Sequence, residues 1–359
     1  MSTPRKALVV GSGSIARRHL NNLRSLLPDA AVGCVSASGR RLADGETVAN
    51  TQFSSLDAAL GWAPDLAVIA SPAPLHLAHA CRFLDLNIPV LIEKPLSDSH
   101  DRVHEVAALL ARHQERIEVA YNLRFLSSAR YMKALIEESR VGKILSLRVD
   151  VGQYLPDWRP QADYRRQVSA NRSLGGGVLL ELSHELDYVN WLFGRFDSVF
   201  CITGNSGLLE IDVEDTADIL LSRDGLTAQI HLDFLQRCPS RSCKVIGSTG
   251  TLHWDLIANR ITLDSPLGEE VLFSDPTVDR NDMYIEQLCG FIEVAARRTE
   301  PRITLDDGLA VLNMIEAMRQ SAATGCQVPL PAEGLAAAPS LDTFSVSSVS
   351  PRRASQPLP

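Results

Sequence analysis

The chain has 359 residues, 45% hydrophobic and 22% charged, with a net charge of -8 and a mean hydropathy near zero. That length exceeds what one core ordinarily fills, so two domains are expected. The charges are interspersed and acidic on balance, and no apolar run approaches the roughly 18 residues of a membrane span, which argues against a membrane protein and against a dedicated nucleic-acid or anionic-membrane binder.

The opening MSTPRKALVVGSG breaks at glycine too early for a signal peptide and reads as a first strand. KALVV (6–10), AVGCV (31–35), LAVIA (66–70), PVLIE (89–93) and IEVAY (117–121) then read as buried strands. Helical spacing falls between them at 14–27, 75–86 and 99–113. Apolar strands without polar alternation, joined by helices, predict a parallel sheet covered on both faces. From Ile144 the pattern changes. ILSLRVDVG alternates, with Leu145, Leu147, Val149 and Val151 on one face, and GLTAQIHLDFL does so with Leu226, Ala228, Ile230, Leu232 and Phe234. Arg223-Asp224-Gly225 supplies a hairpin turn. Further strands are expected near 243–246, 251–255 and 260–263, and closing helices near 283–298 and 305–324.

The fold class is therefore α/β: an N-terminal doubly wound parallel sheet of the Rossmann type and a C-terminal α/β domain with an open, mainly antiparallel sheet. The expected domains are 1–121, binding a dinucleotide, and 122–331, binding substrate and mediating oligomerisation, with the last helices placed to pack back on the first. After Pro331 the Ala, Ser and Pro-rich residues 332–359 predict a disordered tail. Seven cysteines are scattered, and no second pair joins Cys238 and Cys243 in a zinc-type site. No metal and a reduced, cytoplasmic setting are expected.

Four segments carry chemistry. GSGSIA after the first strand puts Gly11, Ser12, Gly13, Ser14 and Ile15 where backbone amides and a helix N-terminus meet a pyrophosphate. The second strand ends in Ser36 with Arg40 and Arg41 beyond it, where an acid would select NAD; NADP is preferred and NAD is the alternative. The third and fourth strands deliver Ser71, Pro72 and His76, then Glu93-Lys94-Pro95, to the same sheet edge. Lys94 there suits a charge-stabilising role, and Pro95 raises a cis Lys–Pro bond. Finally GGGVLLELSHELDY opens on three glycines, and helical spacing sets Leu179, Leu182, Leu186, Val189 and Phe193 on one stripe. Glu181, His184 and Tyr188 fall nearly opposite that stripe. They are either a solvated face or the wall of a cleft.

Together these segments, with Tyr121-Asn122, Arg124-Phe125 and Leu305-Asp306-Asp307-Gly308, resemble the glucose–fructose oxidoreductase and inositol dehydrogenase (Gfo/Idh/MocA) family over about residues 6–331. The resemblance implies hydride transfer between nicotinamide and a sugar, polyol or sugar-derivative hydroxyl, in a site between the domains, and association through the open sheet face as a dimer or tetramer. It implies catalytic roles for Lys94 and His184 and places Asn122 at the cofactor. The family's aspartate four residues before the histidine is Leu180 here; Glu181 stands three before, and Asp187 is a second candidate partner. Lys94, Arg124, His184 and Asp187 are then expected at the substrate. GQYLPDWRPQADYRRQ adds Tyr154, Trp158, Arg159 and Arg166, whose aromatics and cations suit a phosphorylated, nucleotide-linked or acidic sugar. This segment and the SHELDY form are similar to members associated with surface-sugar biosynthesis. The alternatives are a cofactor-binding sensor or regulatory subunit without turnover, favoured by the altered acid–histidine spacing, and redox-assisted elimination.

Overall fold

A computed structural model of the protein describes residues 3–40 and 47–331. Arg41 and the expected tail at 332–359 lie outside the described residues. The first half contains β1 (Lys6–Val10), α1 (Ser14–Leu26), β2 (Ala31–Val35), β3 (Thr51–Phe53), α2 (Leu56–Gly61), β4 (Leu66–Ile69), α3 (His76–Leu84), β5 (Val90–Glu93), α4 (His100–Arg112) and β6 (Ile117–Ala120). The strands pair in parallel in the order β3-β2-β1-β4-β5-β6. Helices cover both faces, so the strand interiors carry no polar alternation. Strand order reverses between β1 and β4, and in such sheets ligands sit beyond the carboxyl ends of the strands at that point. The sequence reading missed β3 and α2: one is three residues long and half-exposed, the other a short helix capped by Ser55.

The second half begins with α5 (Ser127–Glu137) and β7 (Ile144–Gly152), followed by α6 (Val178–Glu181) and α7 (His184–Phe193). Then come β8 (Ser198–Gly204), β9 (Thr216–Arg223), β10 (Leu226–Asp233), β11 (Ser240–Gly247), β12 (Thr251–Asp255), β13 (Arg260–Ser265) and β14 (Gly268–Ser274). α8 (Asp282–Ala295), α9 (Leu305–Thr324) and β15 (Val328–Pro329) close it. The sheet runs β14-β13-β12-β11-β7-β10-β9-β8-β15 and is antiparallel except between β7 and β10. At the β9–β10 hairpin Arg223 pairs with Leu226, leaving Asp224 (φ 46°) and Gly225 (φ 80°) as a two-residue loop with positive φ at both positions. Leu147, Val149 and Val151 face the core as the alternation requires. Leu145 does not: the register with β11 slips between Ile246 and Gly247, and Leu145 is left out of the pairing and 46% exposed.

The last two helices return to the first domain. Leu288, Phe291, Ile292 and Val294 of α8 share a core with Ala7, Val9, Leu20 and Val68. α9 lies so close to β6 that a Cβ on Gly308 would stand 2.9 Å from the Val119 side chain. No helix among the described residues is long and apolar enough to cross a membrane.

Candidate active site

A cavity of about 700 Å³ opens where the two halves meet, at the carboxyl ends of β1, β4 and β5. Its floor is the turn from β1 to α1. Gly11 (φ 136°) donates its N–H to Val35 O at 2.8 Å, and a Cβ there would lie 2.3 Å from Ala70 O, so glycine is obligatory. Gly13 serves a different purpose. It precedes α1 in an extended conformation, and among the described residues no side chain caps the helix and nothing lies within 4 Å of where its Cβ would be. The first-turn amides of a 13-residue helix are thus uncovered toward the cavity, a fit for an anionic pyrophosphate. Ser36 is buried, its Oγ without a hydrogen-bond partner among the described residues, and Ala37 and Ser38 line the cavity instead. Arg40 lies outside the lining.

β5 ends in Glu93, and the Lys94–Pro95 peptide that follows is cis. Lys94 lines the cavity and its Nζ donates to the backbone carbonyl of Glu181 at 2.8 Å, bridging the two domains. Glu93 Oε1 accepts from Nε2 of the fully buried His19 at 2.6 Å. His76 has no ring nitrogen left for a ligand: Nδ1 lies 2.8 Å from Pro95 O and Nε2 2.7 Å from Ser71 O. It forms part of the wall, as do Ser71, Pro72 and Asn122. Arg18, beside His19, and Tyr284 of α8 also line the cavity, with the guanidinium 4.4 Å from the ring centre. The sequence reading missed all three. His19 lies one turn along the helix that follows the glycines, whereas Tyr284 arrives from a distant element and leaves no local signal.

The segment after the glycines is one continuous helix by periodicity and two helices in the structure. The break lies at Leu182-Ser183, and Glu185 N–H turns to Leu182 O. That leaves the Glu181 carbonyl free to accept from Lys94. Both faces of α7 are covered, since Tyr188, expected on the polar face, is fully buried against Trp254. A Cβ on Gly176 would lie 2.4 Å from Val168 O, so this glycine admits the 168–171 turn. That turn brings Ser169 into the cavity, where its Oγ donates to Glu181 Oε2 at 2.8 Å.

Glu181 and His184 both line the cavity, yet the carboxylate turns to Ser169. The buried Nδ1 of His184 has no hydrogen-bond partner among the described residues, and the ring stands edge-on to Tyr121 at 5.7 Å. Burial first, then the charges of Lys94 and Arg241, hold this imidazole well below its ordinary value of 6.5, so it is neutral near pH 7.

The remaining expected substrate residues are dispersed. Arg124 makes two hydrogen bonds to Asp187 (2.9 and 2.6 Å) and a third to Asp307 at 3.0 Å, a buried tie between α7 and α9 outside the cavity lining. Opposite charges so placed satisfy each other, which removes Arg124 and Asp187 from the cavity surface. Tyr154 stacks under Arg237 at 3.5 Å, and Trp158 packs edge-on to Phe234. Arg166 is exposed near Asp163, and none of these three lines the cavity. Arg159 does, with Nη2 3.3 Å from Ser14 Oγ at the phosphate-binding turn. Gln167 and Val168 of the same loop also line it, and were missed. Among the described residues no cluster of His, Cys, Asp or Glu is arranged to hold a metal ion.

Two family models match the chain: an oxidoreductase family with an NAD-binding Rossmann fold over residues 5–121, and a GFO/IDH/MocA C-terminal domain over 129–253. Oxidoreductase YteT of Bacillus subtilis is 28% identical over 133 residues, which cover 37% of this chain and 30% of that protein. Inositol 2-dehydrogenase 2 of Saccharopolyspora erythraea is 24% identical over 338 residues, 90% of this chain and 94% of the relative. Among solved structures, the WlbA dehydrogenase of Bordetella pertussis, in complex with NADH and UDP-GlcNAcA, superposes with a TM-score of 0.77 at 23% identity, over 92% of this chain and 99% of that one.

Proposed function

The chain belongs to the Gfo/Idh/MocA oxidoreductase family, and from that premise we propose that it transfers hydride between a nicotinamide cofactor and a hydroxyl-bearing or carbonyl carbon of a sugar or sugar derivative. One observation carries the reading. The phosphate-binding turn, Lys94 and His184 face a single cavity, and Lys94 is fixed across it by the Glu181 carbonyl. When bound, the cofactor supplies or accepts the hydride.

The chain's own residues do the rest. Gly11, Gly13 and the N-terminus of α1 bind the pyrophosphate, and Arg159 reaches it from the second domain through its position at Ser14. With Nδ1 of His184 enclosed, Nε2 remains to meet a substrate hydroxyl. A neutral imidazole accepts that proton in the oxidation direction, and the Lys94 ammonium stabilises the developing alkoxide. Glu181, steadied by Ser169, hydrogen-bonds neighbouring hydroxyls of the sugar. The absence of an acid at the end of β2 favours NADP. An acidic or nucleotide-linked sugar is the preferred substrate class, with surface-sugar biosynthesis as its setting. Arg18 and Arg159 in the cavity support it, as does the ligand named for the Bordetella pertussis dehydrogenase. The outer face of the second sheet, where Ile202 and Leu220 are exposed, joins copies into a dimer or tetramer.

The test is a spectrophotometric screen of NAD and NADP against sugars, sugar phosphates and nucleotide sugars. Reduction or oxidation of the nicotinamide with at least one sugar-type compound is expected. Cofactor binding with no turnover across the panel would instead support the sensor reading.

A further inference from the structure

Lys94 is moored at the peptide group before it and at the carbonyl of the residue after it, and each mooring ends on a buried histidine. On one side the Glu93 carboxylate bridges: Oε2 accepts from Lys94 N–H at 3.3 Å, and Oε1 accepts from His19 Nε2 at 2.6 Å. His19 sits on α1, with no exposure and Nδ1 without a hydrogen-bond partner among the described residues. On the other side the carbonyl of Pro95 lies 2.8 Å from Nδ1 of His76, whose Nε2 lies 2.7 Å from Ser71 O at the end of β4. His76 is 1% exposed at the start of α3. Neither side chain is free to bind a ligand through the nitrogen it uses here. Burial drives the His76 ring toward neutrality, while its two carbonyl contacts and Glu93 oppose that drift.

We infer that His19 and His76 are positioning residues for Lys94, holding its backbone from α1 and from α3 so that the ammonium meets both the Glu181 carbonyl and the reacting oxygen. The inference rests on the reading of Lys94 as a reaction group. It matters because an error of about 1 Å in a catalytic group can cost roughly 10²-fold in rate.

The geometry sets a crossed pattern of rescue. Glutamine places its amide nitrogen near the position of histidine Nε2, and asparagine near that of Nδ1. His19→Gln therefore keeps the bond to Glu93, and His19→Asn loses it. At position 76 the order reverses: His76→Asn keeps the Pro95 contact, and His76→Gln keeps only the Ser71 contact. The experiment measures kcat, cofactor Kd by fluorescence titration and the rate of reductive methylation at Lys94 by peptide mass, the last two requiring no turnover. His19→Asn and His76→Gln are expected to lower kcat about 10²-fold with cofactor Kd unchanged. They are also expected to methylate Lys94 about fivefold faster, as its hydrogen bond to Glu181 is lost. His19→Gln and His76→Asn stay within about threefold of the parent on each measure. Equal effects of Asn and Gln at both positions, a parent-like methylation rate throughout, or loss of cofactor binding together with cooperative unfolding would overturn the inference. A parent protein that turns over no sugar, while the crossed pattern appears in methylation, leaves the inference standing and removes the proposed reaction.

Discussion

His184, the proposed base, has no orienting carboxylate among the described residues. Glu181, Glu185 and Asp187 stand within three residues of it, yet each is engaged elsewhere, by Ser169, Arg241 and Arg124. Burial, with the charges of Lys94 and Arg241, holds the imidazole well below its ordinary 6.5, and the acid limb of kcat/KM is expected below pH 6.5. An acid limb above that value would assign the base elsewhere. His184→Ala should lower kcat by about 10²–10⁴-fold with cofactor affinity retained. Away from the cavity, Glu118 on β6 is fully buried, neither carboxylate oxygen is hydrogen-bonded to a side chain among the described residues, and burial raises it from 4.5 to about 7. A raised acid binds its proton more tightly in the folded state, so its contribution is present below pH 4.5 and lost as pH rises through about 7. Glu118→Gln should therefore stabilise the protein at pH 8 by up to about 3 kcal/mol and flatten the fall between pH 4.5 and 7, read by urea unfolding. At this scale the sequence exposed the residue types and concealed their partners. Lys94, Gly11 and Gly13 stand out by their place at strand ends, and His184 by the three glycines that precede its segment. That Arg124 would be consumed by Asp187 could not be read, because 63 residues separate them.

Between α6 and α7 the helix stops for two residues, and the break frees the carbonyl that holds Lys94. Apolar periodicity runs through Leu179, Leu182 and Leu186 without interruption, so spacing alone predicts one helix. By contrast the parallel strands were legible as short apolar runs, and the β9–β10 turn as Asp224-Gly225, because backbone chemistry there is local. α9 shows how an element is fixed at both levels. Thr304 and Asp307 form a capping box, and Asp307 also accepts from Arg124. Thr304→Ala should cost about 1 kcal/mol by denaturant unfolding. Arg124→Met strands Asp187 without its cation and should cost about 3–5 kcal/mol. A cost below that of Thr304→Ala would contradict the buried tie described here.

Across the whole molecule, the cavity exists because α8 and α9, late in the chain, pack back on the first domain and set the second sheet over the β-strand ends. The outward side of that sheet presents Ile202 and Leu220, 59% and 42% exposed. The combined variant Ile202→Asp, Leu220→Asp should shift the mass seen by light scattering from dimer or tetramer to monomer; a parent that is already monomeric would sink this assembly. The central claim, that Lys94 and His184 serve hydride transfer to or from a sugar in one cavity, is tested most directly by nicotinamide absorbance during turnover of the best substrate from the screen. The parent enzyme should change absorbance in step with sugar consumed. Lys94→Ala and His184→Ala should bind the cofactor with parent affinity and lose at least about 10²-fold in kcat. Full turnover by either variant, or product formed with no net change in the nicotinamide, would contradict the account.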